Sequence, residues 1–368
     1  MDSLTQATLG AVIGEAVLGK KLGNRALLWG ALFGTLPDLD VVLNIFLDTA
    51  RELALHRGGS HSILLMVFAS VFLAKPLSKL WRKSKVTPTQ AGMFVFLVWS
   101  THVLIDCFTV YGTSVFWPFS EYRVAFNHLF IIDPLYTLPL LISLIWLACY
   151  REKKQLTKRR RILKWGLALS TSYVAFSLAM KFLVSAAFDN DLARRGIDYD
   201  RRMESPTAFN TLLWRSVADR ENELWVGYRS VFEMPSTPIR WTIYPKHKGA
   251  LESYEGEREV ETLKWFSNGW WIARSHSKGV WMADLRFGES RVYDAKPGMV
   301  DSHYMFSWSF WPEDEKDRLR SSPPKLRGGK DALKRIGKRI LGRNENWEGT
   351  PRLAGIAGSP PEWLKTMD

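Results

Sequence analysis

A chain of 368 residues is long enough for two domains, and its formal net charge of +13 reflects 50 Lys and Arg against 37 Asp and Glu. Its two cysteines, Cys107 and Cys149, both lie in apolar runs, which excludes a disulfide framework and a cysteine-based zinc site. The 46% hydrophobic share averages two unlike halves: apolar runs dominate to about residue 188, and charged residues, tryptophans, glycines and prolines dominate beyond it.

The opening stretch MDSLTQATLGAVIGEAVLGKK has no basic leading region and places its lysines after the apolar part, so it reads as a retained helix rather than a signal peptide. Gln6 and Glu15 interrupt it, and Gly10 and Gly14 suit close packing on a neighbour. In chain order the apolar segments are 4–18, 26–47, 60–80, 90–110, 129–150 and 163–188. Most approach the roughly 20 residues that span a bilayer core. Basic residues cluster at 20–25, 75–85, 151–164 and 325–343, while 48–59 and 111–128 carry few. In a membrane protein such clusters set orientation, so no nucleic-acid partner is expected. Six crossings with the N-terminus outside place every basic loop in the cytoplasm and everything after residue 189 outside it.

That later part reads as β-rich. LLWRSVADRENELWVGYRSV and WWIARSHSKGVWMADLRF each hold two strand-like runs around a polar turn, with tryptophan, valine and tyrosine suited to a pleated, half-buried surface. The expected fold is therefore an all-α polytopic membrane domain of about six helices over 1–188. A small antiparallel β-rich extracytoplasmic domain follows over 189–311, and a basic, largely flexible tail over 312–368. Within the tail, KDALKRIGKRILG sets Leu333, Ile336 and Ile340 on one face with basic residues opposite, as a helix lying on anionic lipid headgroups would.

Ionisable groups in spanning segments are costly unless they pair, bind ions or face water. Here they recur: Asp38 and Asp40 in GTLPDLDVV, His102 and Asp106 in WSTHVLIDCF, His128 and Asp133 in FNHLFIIDPLY. The turn HRGGSHS adds His56, Arg57 and His61. His102 and Asp106, four apart, share one helix face and can hold the same ion. Asp38 and Asp40, two apart, diverge on a regular helix, but Pro37 permits irregular geometry there. In the expected topology these residues and Gln6 gather toward the outer side of the membrane. The candidate metal ligands are thus Gln6, Asp38, Asp40, His56, His61, His102, Asp106, His128 and Asp133. Histidine nitrogen and aspartate oxygen without thiolate suit zinc, manganese or iron, with zinc favoured for hydrolysis and room for more than one ion.

The motifs PDLD, HRGGSHS, THVLIDCFTVYG and WPFS, in that order over roughly residues 1–150, resemble the LexA-regulated family of bacterial inner-membrane metal-dependent hydrolases. That family is distantly similar to zinc-dependent phospholipase C and the single-strand-specific zinc nucleases. The resemblance implies a helical enzyme in which His102 and Asp106 form a ligand pair and Asp38, Asp40, His56 and His61 are ligands or their supports. Relatives often carry a histidine where this chain has Gln6. The expected activity is hydrolysis of an ester or phosphoester bond of a membrane lipid or lipid-linked substrate at the outer leaflet. Asp38 or Asp40 would be the general base and Arg57 a phosphate clamp. An ion-binding, transporter-like protein and a non-enzymatic stress-response scaffold with a structural metal are the competing expectations.

Overall fold

A computed structural model of the chain describes residues 1–150, 155–276, 278–288, 304–314, 318–321 and 329–343. Parts of the basic runs at 151–164 and 325–343, and most of the expected tail, lie outside the described residues. The chain divides into two compact units, one of Met1–Ile45, Leu55–Leu178 and Ala208–Asn210, the other of Phe46–Ala54, Ala179–Thr207 and Thr211–Asp368.

The helical elements are, in chain order, α1 (Ser3–Leu22), α2 (Asn24–Thr35), a 3-10 stretch (Leu36–Phe46), α3 (Thr49–Leu55), a 3-10 turn (Gly59–His61), α4 (Ile63–Leu80), α5 (Pro88–Cys107), α6 (Pro134–Cys149) and α7 (Leu156–Arg194); they make up the first unit, except that Phe46, most of α3 and the end of α7 from Ala179 belong to the second. Local chemistry starts these helices. Thr87 and Gln90 form a capping box ahead of α5, with Pro88 in its first turn. Ser62 caps α4 by accepting from the Leu65 amide at 3.1 Å.

Four helical stretches among the described residues are long and apolar enough to cross a membrane: Asn24–Phe46, Ile63–Leu80, Pro88–Cys107 and Leu156–Arg194. The expected segment at 129–150 is a shorter apolar helix, Pro134–Cys149. The expected segment at 4–18 falls in α1, which packs against α2, α5 and α6 and buries Thr5, Gln6, Thr8 and Glu15. An interior helix touches protein rather than lipid, which is why it tolerates polar side chains. Its glycines explain the closeness. A Cβ on Gly10 would lie 2.3 Å from the Gly30 carbonyl oxygen, and one on Gly14 would lie 2.5 Å from that of Ala26. Side chains there would force the two backbones apart.

The core beneath α4 and α5 gathers Phe33, Met66, Trp81, Phe94, Val98 and Trp99. Outward, α4 exposes Phe68, Val71 and Phe72. Apolar residues are thus buried against protein on one side and displayed to lipid on the other, as expected of a membrane-embedded bundle.

The second unit holds two four-stranded antiparallel sheets, each a simple meander. The first orders β1 (Arg201–Pro206), β2 (Leu213–Arg220), β3 (Glu223–Ser230) and β4 (Trp241–Pro245). The second orders β5 (Trp271–His276), β6 (Gly279–Asp284), β7 (Ser307–Phe310) and β8 (Leu319–Ser321). Both hairpins read from the sequence are present, with Arg220 opposite Glu223 and His276 opposite Gly279. Trp214, Trp225 and Trp241 pack on Val184, Phe188 and Leu192 of α7 to form the core of the first sheet. Helix α8 (Arg258–Phe266) supports the second sheet through the Phe266–Trp308 edge contact, with ring centroids 5.8 Å apart.

The expected amphipathic helix forms as α9 (Gly329–Ile340), but part of its surface is taken up by protein. Ile336 is buried, and Arg339 reaches Glu233 at 2.9 Å and the Tyr228 carbonyl at 3.0 Å. Leu333, on the expected apolar face, remains exposed.

Candidate metal centre

Three separate parts of the sequence deliver the site. Along α5 the buried positions Ala91, Val95, Val98, Trp99, His102 and Asp106 recur at helical spacing, so His102 and Asp106 end a stripe that faces the interior. The Leu36–Phe46 stretch is 3-10 in form, which turns residues two apart by about 120° from each other rather than nearly opposite. Asp38 can then face α5 while Asp40 faces the turn at residues 56–61. In that turn Arg57 has φ of 57°, and the chain doubles back before Ser62 caps α4. Gly59 lies against Trp117, whose ring would be 3.3 Å from a Cβ placed there.

Asp38, His61, His102 and Asp106 converge, with one ligand atom from each lying within 4.8 Å of the others. The two histidine Nε2 atoms are 3.2 Å apart. Asp38 Oδ1 is 3.4 Å from each of them, and Asp106 Oδ2 is 3.3 Å from His61 Nε2 and 3.6 Å from His102 Nε2. Neither carboxylate oxygen has a hydrogen-bond partner among the described residues.

The surroundings determine where the ring protons sit. His102 Nδ1 is 2.6 Å from the Gly34 carbonyl, which can only accept, so Nδ1 carries the proton and Nε2 presents a lone pair. Ser60 Oγ donates its single proton to Asp40 Oδ2 at 2.8 Å and therefore accepts from His61 Nδ1, also at 2.8 Å. In a neutral ring that leaves His61 Nε2 bare as well. With both rings neutral, four lone pairs thus face one point, an arrangement that repels itself unless a cation lies among them. A tetrahedron with ligand bonds of about 2.0–2.1 Å has edges of about 3.3–3.4 Å. Five of the six interligand distances here run from 3.2 to 3.6 Å, so the residues match a small four-coordinate divalent ion.

The remaining candidates fall around this core. Asp40 serves as a hub, accepting from the Arg57 amide and meeting His56 Nδ1, both at 3.0 Å, in addition to Ser60. His56 also sets its ring edge-on against Tyr111. Gln6 donates to Asp106 Oδ1 at 2.9 Å, and the Met1 amino group contacts the same oxygen. Arg57, buried at 3% exposure, holds Asp106 Oδ1 at 3.3 Å and Thr109 Oγ1 at 3.3 Å, with its guanidinium over the Tyr111 ring. One oxygen of Asp106 is thereby fixed by cations and an amide, and the other is turned to the histidines.

His128 and Asp133 are elsewhere in the unit. His128 bonds Ser177 Oγ at 2.7 Å and packs on Phe108. Asp133 caps α6, accepting from the Leu135 amide at 3.2 Å and from Tyr173 at 3.0 Å. Glu15 forms a buried pair with Arg159, at 2.9 and 2.6 Å. Sequence reasoning did not single out Ser60, Gly34 or Thr109 as part of the site. Ser60 had a local signal, being a hydroxyl beside His61. The Gly34 carbonyl had none, because every residue carries one.

The family model described as YdjM inner membrane protein matches residues 1–184, which include every member of the cluster. The uncharacterized protein YfhP of Bacillus subtilis (strain 168) is 30% identical over 156 residues, covering 40% of this chain and 47% of YfhP, so the chain spans about half the length of that relative. No solved structure matches. With half of the chain inside the family match and several helices suited to a bilayer, the protein belongs to the YdjM inner membrane protein family.

Proposed function

We propose that this protein is a membrane-bound, metal-dependent hydrolase that cleaves an ester or phosphoester bond of an amphiphilic substrate, with zinc held by His61, His102 and Asp106 and with Asp38 beside it at the open side. The observation that carries this reading is the convergence of two histidine nitrogens and two carboxylate oxygens at near-tetrahedral spacing with one accessible member. The side chains of His61, His102 and Asp106 are at most 1% exposed, whereas that of Asp38 is 19% exposed. Structural metal sites are closed by their ligands, and catalytic ones keep an open side. When bound, the ion supplies Lewis acidity toward an ester or phosphoryl oxygen and acidifies a water.

The chain's own residues do the rest. Asp38, at the open side, is placed to take and return a proton during the reaction. Leu39, Val41, Val42 and Ile45, exposed on the same stretch, offer an apolar rim for the hydrocarbon part of a substrate. Arg57 balances the charge of Asp106 and keeps one of its oxygens in place. Asp40, with its oxygens committed to His56, Arg57 and Ser60, orients His61 through the Ser60 hydroxyl. Loop charge supports an outer-leaflet site with the two sheets on the extracytoplasmic side.

The test is turnover of carboxylester and phosphodiester lipids in mixed micelles by the purified, zinc-loaded protein. Expected is hydrolysis that a chelator abolishes, that added zinc restores, and that Asp38→Asn lowers by about 100-fold or more. Full zinc occupancy with no turnover of either class would overturn the enzymatic reading. Ser60→Ala should weaken zinc binding by about 10–100-fold, as loss of an orienting partner does, with Ser60→Thr restoring most of it. Calorimetric titration of zinc into the metal-free protein measures this directly, and equal affinity in Ser60→Ala would remove the hydroxyl from the site.

A further inference from the structure

We propose that the groove between α6 and α7 is a binding site for an anionic phospholipid, its phosphate on Arg161 and one acyl chain along the helices. This rests on neither the metal centre nor the proposed hydrolysis. A cavity of about 420 Å³ lies between the two helices, in the first unit. Leu138, Ile142 and Trp146 line it from α6, and Arg161, Trp165 and Leu169 line it from α7.

The helices meet over several turns, with Ser170 Oγ donating to the Tyr136 carbonyl at 2.9 Å and Arg159 to the Leu147 carbonyl at 2.8 Å, and they come closest beside the groove. Gly166 meets Ser143 so closely that a Cβ there would lie 2.2 Å from Ser143 Oγ. This contact brings the backbones together while the larger side chains on either flank form the walls. Arg161, Trp165 and Leu169 follow one another at four-residue spacing, so α7 presents a cation, an indole and an alkyl group along one face. At about 1.5 Å per residue, that face runs about 12 Å from Arg161 to Leu169, enough for most of an acyl chain's first ten carbons.

Chemistry is graded along the groove. Arg161 is exposed and makes no ion pair among the described residues. Lys158, Arg160 and Lys164 are neighbours in the sequence but do not line the groove. Trp146 and Trp165, exposed at 57% and 62%, sit at the same end, where indoles favour the headgroup level of a bilayer. Beyond them the lining is hydrocarbon. A cation, then interfacial tryptophans, then alkyl groups match a phosphate, then glycerol esters, then a chain. A zwitterionic lipid would satisfy the apolar part equally but would gain less at Arg161, so the charge selects an anionic headgroup.

The full-length protein, delipidated in a neutral detergent, is titrated with phosphatidylglycerol or phosphatidylcholine of identical acyl chains, and bound lipid is counted by native mass spectrometry. Expected is one retained phosphatidylglycerol, preferred by about fivefold over phosphatidylcholine, as one interfacial cation provides. Arg161→Ala should remove the preference, and Leu138→Trp should block both lipids by filling the groove. Lys158→Ala and Arg160→Ala should leave the preference in place. Soluble glycerol phosphate should not compete, because it lacks the chain. Equal retention of both lipids by the unaltered protein would overturn the proposal, as would an undiminished preference in Arg161→Ala. So would a loss caused equally by Lys158→Ala, which would mean a diffuse field rather than a site. Unchanged elution volume and melting temperature of each variant separate these outcomes from misfolding.

Discussion

His102→Ala should lower the affinity for zinc by more than about 100-fold, exceeding what loss of an orienting neighbour costs, and should leave the purified protein nearly metal-free. His102 ends the buried stripe of α5, and the Gly34 carbonyl anchors its Nδ1 at 2.6 Å, so the ring cannot turn away from the centre. His61→Ala should do the same, because its Nε2 stands 3.2 Å from that of His102. Asp133→Asn and His128→Ala make the contrast. Asp133 caps α6 and His128 bonds Ser177, so both variants should keep their metal, whatever they lose in stability. Elemental mass spectrometry of the purified proteins, with zinc titration of the stripped forms, gives the comparison. Undiminished metal in both His61→Ala and His102→Ala would mean that the cluster is not the centre.

Glu15→Ala should destabilise the helical unit by about 3–5 kcal/mol, the usual cost of leaving one member of a buried ion pair without its partner. Arg159 is buried and makes paired contacts to Glu15 at 2.9 and 2.6 Å, and its other nitrogen binds Asn24 Oδ1 at 2.7 Å and the Leu147 carbonyl at 2.8 Å. One guanidinium thus joins α1, α6 and α7 and the start of α2. Without Glu15 the positive charge would remain, surrounded by dipoles but not neutralised. The double variant Glu15→Leu, Arg159→Met should recover much of the loss, because it removes both charges at similar volume. Denaturant unfolding in detergent, followed by tryptophan fluorescence, measures each. A single variant as stable as the parent would show that solvent reaches the pair.

These two predictions differ in how far the sequence alone leads to them. The spacing of His102 and Asp106 places both on one helix face, and the proton-free chemistry of histidine and aspartate points to a metal without any coordinates. Hydropathy identified the apolar segments, and the tryptophan- and valine-rich runs announced the hairpins that the sheets contain. Such features are legible because periodicity and side-chain chemistry are local properties. The interior position of α1 was less legible. Its glycines hinted at close packing, but only contact with Gly30 and Ala26 shows that it is enclosed by protein.

Partner identity belongs to the tertiary structure. Glu15 and Arg159 lie 144 residues apart, and no pattern in either segment names the other. The sequence brought nine residues forward as candidate ligands, and nothing in their spacing separates a ligand from a support. Geometry makes that division by placing Asp38, His61, His102 and Asp106 around one point. Asp40 and Gln6 lie directly behind them, and His128 and Asp133 belong to other contacts. Sequence alone determined that the first 188 residues are an apolar, helix-rich half carrying histidines and aspartates that a membrane would not otherwise tolerate, with a β-rich half after them. Only the folded chain decided which of them meet, because coordination depends on distances of a few ångströms between segments whose separation in sequence carries no such information.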